Sequence, residues 1–142
     1  MSEQKTIYIA DDETKIRDAI KAFLEKEGHH VMAFEDGDSL LEAFREKPAD
    51  LVMLDANMPG TNGFGVCKEL RRTSYVPIFM VTARDSDLDH QTALDLGCDD
   101  FFMKPVSPMT LVMRVRSLFK RIAYERETAI EKHASQEADT AQ

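Results

Sequence analysis

Short apolar runs alternate five times with segments of helical periodicity along this sequence. The apolar runs are rich in aromatic and β-branched residues, which is typical of β-strands. They are TIYIA (6–10), HVMAF (30–34), DLVML (50–54), PIFMVT (77–82) and DFFM (100–103). Strands that alternate with helices in this way predict a mainly parallel sheet with helices on both faces.

The segments between and after these runs carry apolar residues three and four positions apart, the spacing of an amphipathic helix. The first has such a face and ends near Gly28, a residue type that commonly terminates helices. Its apolar face comprises Ile16, Ala19, Ile20, Phe23 and Leu24. Shorter patterns include Leu40, Leu41 and Phe44, then Phe64, Val66, Cys67 and Leu70; the last is Leu111, Val115, Leu118, Phe119 and Ile122.

The fourth helical segment, from about Asp87 to Leu96, has the weakest apolar face. Leu88, Ala93 and Leu96 are its apolar residues, and Asp, His, Gln and Thr fill much of the rest. A helix with so little apolar surface is held loosely to its sheet. Two interpretations stay open: marginal packing, or a surface built to move.

Composition excludes several functional classes. The net charge of −8 argues against a general nucleic-acid binder, because phosphate backbones attract basic surfaces. No run approaches the roughly 20 apolar residues of a membrane span, and the N-terminal residues do not resemble a signal peptide. Cys67 and Cys98 are isolated, so we expect reduced, mostly buried thiols in a cytoplasmic protein rather than a zinc site.

The length of 142 residues predicts one domain with a single core. We place that domain at residues 1–122. Residues 123–142 lose the apolar face after Ile122, so we expect two or three further helical turns followed by a disordered tail or the start of a linker.

Polar residues follow four of the five predicted strands. Ligands of open α/β sheets bind beyond the carboxyl ends of the strands, so these residues should meet in one crevice. They are Asp11 and Asp12 after the first strand, Asp55 after the third, Thr82 at the end of the fourth and Lys104 after the fifth. Individually, Asp12 could instead cap a helix, Thr82 could cap a turn, and Lys104 could be an ordinary exposed lysine.

Three carboxylates in one pocket are costly without a cation. At about 5 Å and an effective dielectric near 20, each pair repels by roughly 3 kcal/mol. A site made of oxygen ligands suits magnesium, which is commonly shared between carboxylates and a phosphate. Lys104 is a suitable partner for phosphate oxygens, and Asp55 is a plausible nucleophile because carboxylates form aspartyl phosphates.

Four motifs in this order resemble the receiver domains of two-component response regulators: ADDE, LDANMPGTNG, VTAR and DDFFMKPVSP. The resemblance covers residues 4 to about 122 and is nearest to receivers of winged-helix transcriptional regulators. It implies a flavodoxin-like α/β fold, with a five-stranded parallel sheet of order 2-1-3-4-5 and five helices on both faces. It also implies magnesium-dependent phosphorylation of Asp55 by a sensor histidine kinase.

The same resemblance assigns roles to individual residues. The magnesium ligands it implies are Asp11, Asp12, Asp55 and the backbone carbonyl of Asn57. The phosphate-binding and switch residues it implies are Thr82, Ala83, Lys104 and Phe101, with a cis peptide between Lys104 and Pro105. Because neighbouring strand residues point to opposite faces, only one of Phe101 and Phe102 belongs to the core on a given face. We expect Phe101 to be the mobile one.

Receivers of this subgroup dimerise through the fourth helix, fifth strand and fifth helix, so a homodimer on phosphorylation is expected. The residues that match this face are Asp95, Asp99, Asp100, Arg114 and Arg116. His90 and Thr110 depart from it, because an Arg–Glu pair is usual there. The alternative is that these charges only solvate a surface. No DNA-binding domain follows, so the chain is either a fragment or a stand-alone receiver.

Rival functions fit the residues less well. A magnesium-dependent phosphatase of the haloacid dehalogenase type has a general-acid Asp two residues after its nucleophile, whereas Asn57 follows Asp55 here. A flavodoxin would have a Ser/Thr-rich phosphate loop after the first strand, and a P-loop is absent. A binding module that has lost phosphorylation would not need all five site residues. We therefore expect a phosphoacceptor switch rather than a turnover enzyme.

Overall fold

The computed structural model describes residues 4–83 and 87–140. Five parallel strands form one sheet in the order β2-β1-β3-β4-β5. The strands are β1 (Thr6–Ala10), β2 (His30–Phe34), β3 (Leu51–Leu54), β4 (Ile78–Thr82) and β5 (Asp100–Met103). The helices are α1 (Thr14–Lys26), α2 (Gly37–Glu46), α3 (Gly63–Arg71), α4 (Asp87–Asp95) and α5 (Pro108–Thr140). The predicted flavodoxin-like fold is confirmed.

Two strands begin one residue later than the apolar runs predict. β3 begins at Leu51 and β4 at Ile78, so Asp50 and Pro77 precede them. Pro77 lacks the N–H group that a ladder position would donate. Asp50 instead accepts a hydrogen bond from the backbone N–H of Thr6 at 2.8 Å, which ties the start of β3 to the start of β1.

The core on one face of the sheet lies between the strands and helices α2 and α3. Alternate residues of β1 and β3 supply Tyr8, Ala10, Val52 and Leu54 to it. The helices contribute, among others, Leu40, Phe44, Val66 and Leu70. Every residue of β3 and β4 is buried, as expected for central strands covered on both faces. This packing holds the carboxyl ends of the central strands in fixed positions.

The buried face of α1 differs from the predicted one. Ile20 and Leu24 are buried as expected, but Phe23 is 37% exposed and Arg17 is buried. Arg17 Nη1 donates a hydrogen bond to the backbone carbonyl of Asp11 at 2.9 Å, which draws the guanidinium inward. The inward side of the helix therefore includes position 17, and Phe23 lies at its edge.

Helix α4 is held by few apolar contacts, in agreement with its sequence. Ala93 is fully buried, whereas Leu88 is 75% exposed and Leu94 is 53% exposed.

At the end of α1, Gly28 has a φ of +93°, the left-handed conformation that glycine adopts without strain, and the helix ends there as predicted.

The chain forms two compact units, Met1–Pro108 and Met109–Gln142. The second unit contains nearly all of α5, in which Leu111, Val112, Val115 and Leu118 are buried. The helix continues through the predicted boundary at residues 122 and 123. The domain boundary at that point stays a prediction. Outside the described residues lie positions 141 and 142 of the predicted tail, together with Arg84 of the VTAR motif. None of the helices in the described ranges is long and apolar enough to cross a bilayer.

Candidate functional site

Two buried carboxylates lie side by side at the carboxyl end of the sheet. Asp11 follows β1 and Asp55 follows β3, and their exposed fractions are 2% and 4%. Each continues the hydrogen bonding of its strand by one residue: the Asp55 N–H donates to Ala10 O at 3.0 Å, and the Asp11 N–H donates to Phe34 O at 3.1 Å. The parallel ladder therefore sets the spacing of the two side chains.

Lys104 brings a cation to these carboxylates from the end of β5. Its Nζ lies 2.9 Å from Asp11 Oδ2, 2.8 Å from Asp55 Oδ2 and 2.8 Å from Glu13 Oε1. The Lys104 side chain is only 6% exposed, and its backbone N–H donates to Thr82 O at 2.8 Å. The alternative of an ordinary exposed lysine is therefore wrong.

The charges of this cluster shift the pKa values of its members. Burial raises the pKa of the Asp11 carboxyl, and hydrogen bonds from the Glu13 N–H and from Lys104 offset only part of that rise. Burial alone would lower the pKa of Lys104. Its hydrogen bonds to Asp55, Glu13 and Asp11 outweigh burial and raise that pKa above its usual value. Lys104 therefore stays positively charged among the carboxylates.

Three of the carboxylates are arranged so that they could hold a metal ion. One oxygen from each of Asp11, Asp12 and Asp55 lies within 4.8 Å of the others. Asp12 is exposed, and it is not the N-cap residue of α1, because that residue is Glu13. An all-oxygen donor set with one exposed member fits a hard divalent cation that keeps some of its water.

The two oxygens of Asp55 have different partners. Oδ2 accepts from Lys104 Nζ at 2.8 Å, and Oδ1 accepts from the backbone N–H of Asn57 at 3.0 Å. Helix α3 begins close to this point, because the Gly63 N–H donates to Ala56 O at 3.1 Å. A Cβ at Gly63 would overlap the Asp55 carbonyl, so only glycine permits this approach. Hydrogen bonds to both of its oxygens therefore hold the Asp55 carboxylate in one orientation.

The remaining predicted residues line the β4 and β5 side. Thr82 is fully buried at the end of β4, and Ala83 after it is exposed. Phe101 is half-buried and stacks on His90 of α4, with ring centroids 4.8 Å apart and an interplanar angle of 15°. Phe102 is buried against Phe79 on the opposite side of the strand. The peptide between Lys104 and Pro105 is cis.

Two charged residues of the site were missed by sequence reasoning. Glu13 supplies a further carboxylate to Lys104, and Arg17 fixes the backbone of Asp11 from inside α1. The signal for Glu13 was its place in the acidic ADDE motif. The signal for Arg17 was its position one residue after Ile16 and three before Ile20, on the inward side of an amphipathic helix.

These features define a class of protein with a flavodoxin-like sheet, a buried carboxylate pocket and a lysine at the carboxyl edge of that sheet. A family model described as the response regulator receiver domain matches residues 7–116. The chain belongs to this family. Receiver domains of response regulators are phosphoacceptor switches rather than conventional enzymes, and sensor histidine kinases phosphorylate them.

Among similar curated proteins, the sensory transduction protein RegX3 of Mycolicibacterium smegmatis is 42% identical over 116 residues, which cover 82% of this chain and 51% of that protein. The probable transcriptional regulator ycf27 of Cyanophora paradoxa is 42% identical over 118 residues, which cover 83% of this chain and 49% of that protein. The chain thus spans about half the length of the curated relatives it matches.

Solved structures show the same fold. The BeF3-activated N-terminal receiver domain of Klebsiella pneumoniae RstA superposes with a TM-score of 0.74 at 32% identity, covering 78% of this chain and 95% of that one. A two-component response regulator from Clostridium difficile superposes with a TM-score of 0.81 at 25% identity, covering 84% of this chain and 98% of that one.

Proposed function

We propose that a sensor histidine kinase phosphorylates this chain on Asp55. The observation that carries the proposal is the environment of that carboxylate. Asp55 is buried at the end of a central strand, its Oδ1 accepts from the Asn57 N–H, and its Oδ2 contacts Lys104. One oxygen is thus held by the backbone. The other contacts the Lys104 ammonium group, which would neutralise charge on an incoming phosphoryl group.

In the proposed reaction, Asp55 Oδ2 attacks the phosphorus of a phosphohistidine. An O–P bond forms, the N–P bond breaks, and the electron pair of that bond stays with the imidazole nitrogen. A small donor such as acetyl phosphate would react in the same way, with acetate leaving. Lys104 is placed to neutralise charge on the phosphoryl oxygens, and positioning with electrostatic stabilisation is the main protein contribution to phosphoryl transfer.

Magnesium is the proposed cofactor. Asp11, Asp12 and Asp55 would hold it, with the backbone carbonyl of Asn57 as a further ligand, and bound magnesium would neutralise charge on the transferring phosphoryl group. The donor set supports this assignment, since all three side chains offer carboxylate oxygens that lie close together. Self-phosphorylation from small donors and slow self-dephosphorylation belong to the same proposal.

Phosphorylation is proposed to act on an output surface through Thr82, Ala83 and Phe101. The phosphoryl group adds about −1.5 to −2 charges and three acceptor oxygens. Thr82 would donate to one of them, and Phe101 would move inward into the space that Thr82 leaves. Because Phe101 stacks on His90, that movement would break a contact that links β5 to the sparsely packed α4.

The proposed output is dimerisation of a transcriptional regulator in the cytoplasm, through the surface that contains Asp95, Asp99, Asp100, Arg114 and Arg116. Asp99 already accepts hydrogen bonds within the chain, from Arg71 Nη2 at 2.9 Å and from the Ile78 N–H at 2.7 Å. A role for Asp99 between subunits would therefore require it to share or exchange these partners. Direct binding of this chain to nucleic acid is not expected, given its net charge of −8.

The test is intact-mass measurement after incubation with acetyl phosphate and magnesium. The wild-type chain should gain one phosphoryl group, and Asp55→Asn should gain none, because an amide is not a competent nucleophile here. Asn is close to Asp in size, so the variant is a matched control for folding. Equal phosphorylation of both proteins would refute the assignment.

A further inference from the structure

We propose that the first turn of α2 is a positioning element for the phosphoacceptor. Asp38 fastens the loop between β3 and α3 through Thr61, and this loop in turn aligns the Asp55 carboxylate. We call this pair of contacts the Asp38–Thr61 clamp. The inference rests on the proposed phosphorylation of Asp55 and adds Asp38 and Thr61 to it as positioning residues.

Both oxygens of Asp38 take part in the clamp. Thr61 Oγ1 donates to Asp38 Oδ1 at 2.6 Å, and the Thr61 N–H donates to Asp38 Oδ2 at 3.3 Å. Hydrogen bonds to an ionised carboxylate are shorter and stronger than those between neutral groups. The clamp therefore joins two segments that are 23 residues apart in sequence by one strong and one weaker contact.

Two glycines make this approach sterically feasible. Gly60 has a φ of +71°, and a Cβ on it would lie 2.5 Å from Asp38 Oδ2. A Cβ on Gly37, the first residue of α2, would lie 2.6 Å from the Thr61 carbonyl oxygen. A side chain at Gly37 would push against the loop backbone, and one at Gly60 would displace the Asp38 carboxylate that Thr61 contacts. Both glycines therefore permit the clamp.

The other end of the same loop is attached to the phosphoacceptor. Its Asn57 N–H donates to Asp55 Oδ1 at 3.0 Å, and the Gly63 N–H donates to Ala56 O at 3.1 Å. With Oδ1 engaged by the loop, Oδ2, which contacts Lys104, is the oxygen proposed to attack phosphorus. A loop released from Asp38 would hold the Asn57 N–H less firmly, and a smaller fraction of molecules would present Asp55 correctly.

Helix α2 is a rigid anchor for this purpose. Asp36 caps its N-terminus by accepting from the Ser39 N–H at 2.7 Å, and Leu40 and Leu41 are buried in the core. A positioning contact is most effective when it comes from an element that packing already fixes. Asp38 lies in the first turn of this helix and transfers that rigidity to the loop.

The experiment compares Thr61→Val, which removes the hydroxyl donor at almost constant volume, with Thr61→Ser, which keeps it. Asp38→Ala removes the acceptor. The matched controls are Thr73→Val at an exposed threonine outside the loop, and Glu42→Ala, which removes one exposed carboxylate from the same helix. Each variant is first checked for an unchanged circular-dichroism spectrum.

Two quantities are measured: the exchange rate of the Asn57 amide hydrogen without metal or donor, and the rate of phosphorylation by acetyl phosphate with saturating magnesium. Losing the clamp should raise the first and lower the second by about 3- to 10-fold, as expected for one hydrogen bond. Thr61→Ser should restore both values, and the controls should match wild type. The final stoichiometry should remain one phosphoryl group per chain.

Unchanged exchange and unchanged phosphorylation rates in both Thr61→Val and Asp38→Ala would overturn the inference. If Thr61→Val does not fold, Asp38→Ala decides the question, because its side chain is exposed. Failure of the proposed function would give a different result. Either the wild-type chain would not be phosphorylated, or the Asp55→Asn variant would be phosphorylated. Faster Asn57 exchange with an unchanged phosphorylation rate would show that the clamp is structural only, and would also overturn the positioning role.

Discussion

At the scale of single residues, Lys104 determines the charge balance of the site. Its Nζ contacts Asp11 and Asp55, two of the three carboxylates that could hold a metal ion. Replacing it with Ala removes a competing positive charge, so we expect Lys104→Ala to bind magnesium about tenfold more tightly. That change corresponds to about 1.4 kcal/mol, a fraction of the roughly 4 kcal/mol between two charges at short range. In the same titration, Asp12→Ala should bind magnesium more weakly, because it lacks one anionic ligand.

The control is Lys68→Ala, at an exposed lysine on α3, which should titrate like wild type.

Lys104→Ala should also keep its fold but lose the spectral change that beryllofluoride induces, because no cation links the phosphoryl mimic to β5. Weaker magnesium binding in Lys104→Ala, or a normal spectral response, would contradict this role for Lys104. An unchanged titration of Asp12→Ala would show that Asp12 is not a ligand.

At the scale of secondary-structure elements, the N-cap of α2 is a testable source of stability. The Ser39 backbone and side chain donate hydrogen bonds that hold the pKa of Asp36 below its usual range. Replacing Asp36 with Ala should lower the free energy of unfolding at pH 7 by about 1 kcal/mol. Urea denaturation measures this, and Glu42→Ala on the same helix should change it little.

The pH dependence of this cap follows from the direction of the shift. The folded-state pKa of Asp36 is lower than the unfolded-state value, so the stabilisation is complete above the unfolded pKa, about 3.9 for Asp. It is lost as the pH falls through the folded-state pKa. The stability difference between wild type and Asp36→Ala should therefore shrink in acid, and a difference that grows in acid would contradict the assignment.

The parallel sheet and the converging site residues could be predicted because they follow from short-range patterns, whereas the strand order was implied by the resemblance to receiver domains. Asp55 directly follows the buried run DLVML, and parallel strands bring such ends to one edge. The inward turn of Arg17 and the exposure of Phe23 were not predicted, because the apolar pattern alone ignores hydrogen bonds to the backbone of Asp11. The contacts of Glu13 with Lys104 and of Asp38 with Thr61 depend on loop conformations that periodicity does not encode.

At the scale of the whole molecule, we expect phosphorylation to change the oligomeric state. Moving a two-state equilibrium from 1:99 to 99:1 requires about 5.5 kcal/mol of differential interaction, which contacts of a phosphoryl group with Thr82, Lys104 and magnesium could supply. Sedimentation with beryllofluoride should show a dimer for the wild type. Asp55→Asn, which cannot take up the mimic, should stay monomeric.

Phe101→Ala separates the switch from the dimer in the same measurement. This variant removes the ring that stacks on His90. Beryllofluoride should therefore no longer change its oligomeric state as it changes that of the wild type. A wild-type response from Phe101→Ala would refute the aromatic switch. A wild type that remains monomeric with the mimic at high concentration would refute the dimer.

We propose above all that Asp55 is the residue that receives the phosphoryl group, and chemical trapping identifies that residue. Borohydride reduces an acyl phosphate to an alcohol with release of phosphate, so a phosphorylated aspartate becomes homoserine. After treatment with acetyl phosphate and magnesium, then borohydride, peptide mass mapping should find homoserine at position 55 alone. Homoserine at position 11 or 12, or at no position in a protein that gained phosphate, would refute phosphorylation of Asp55.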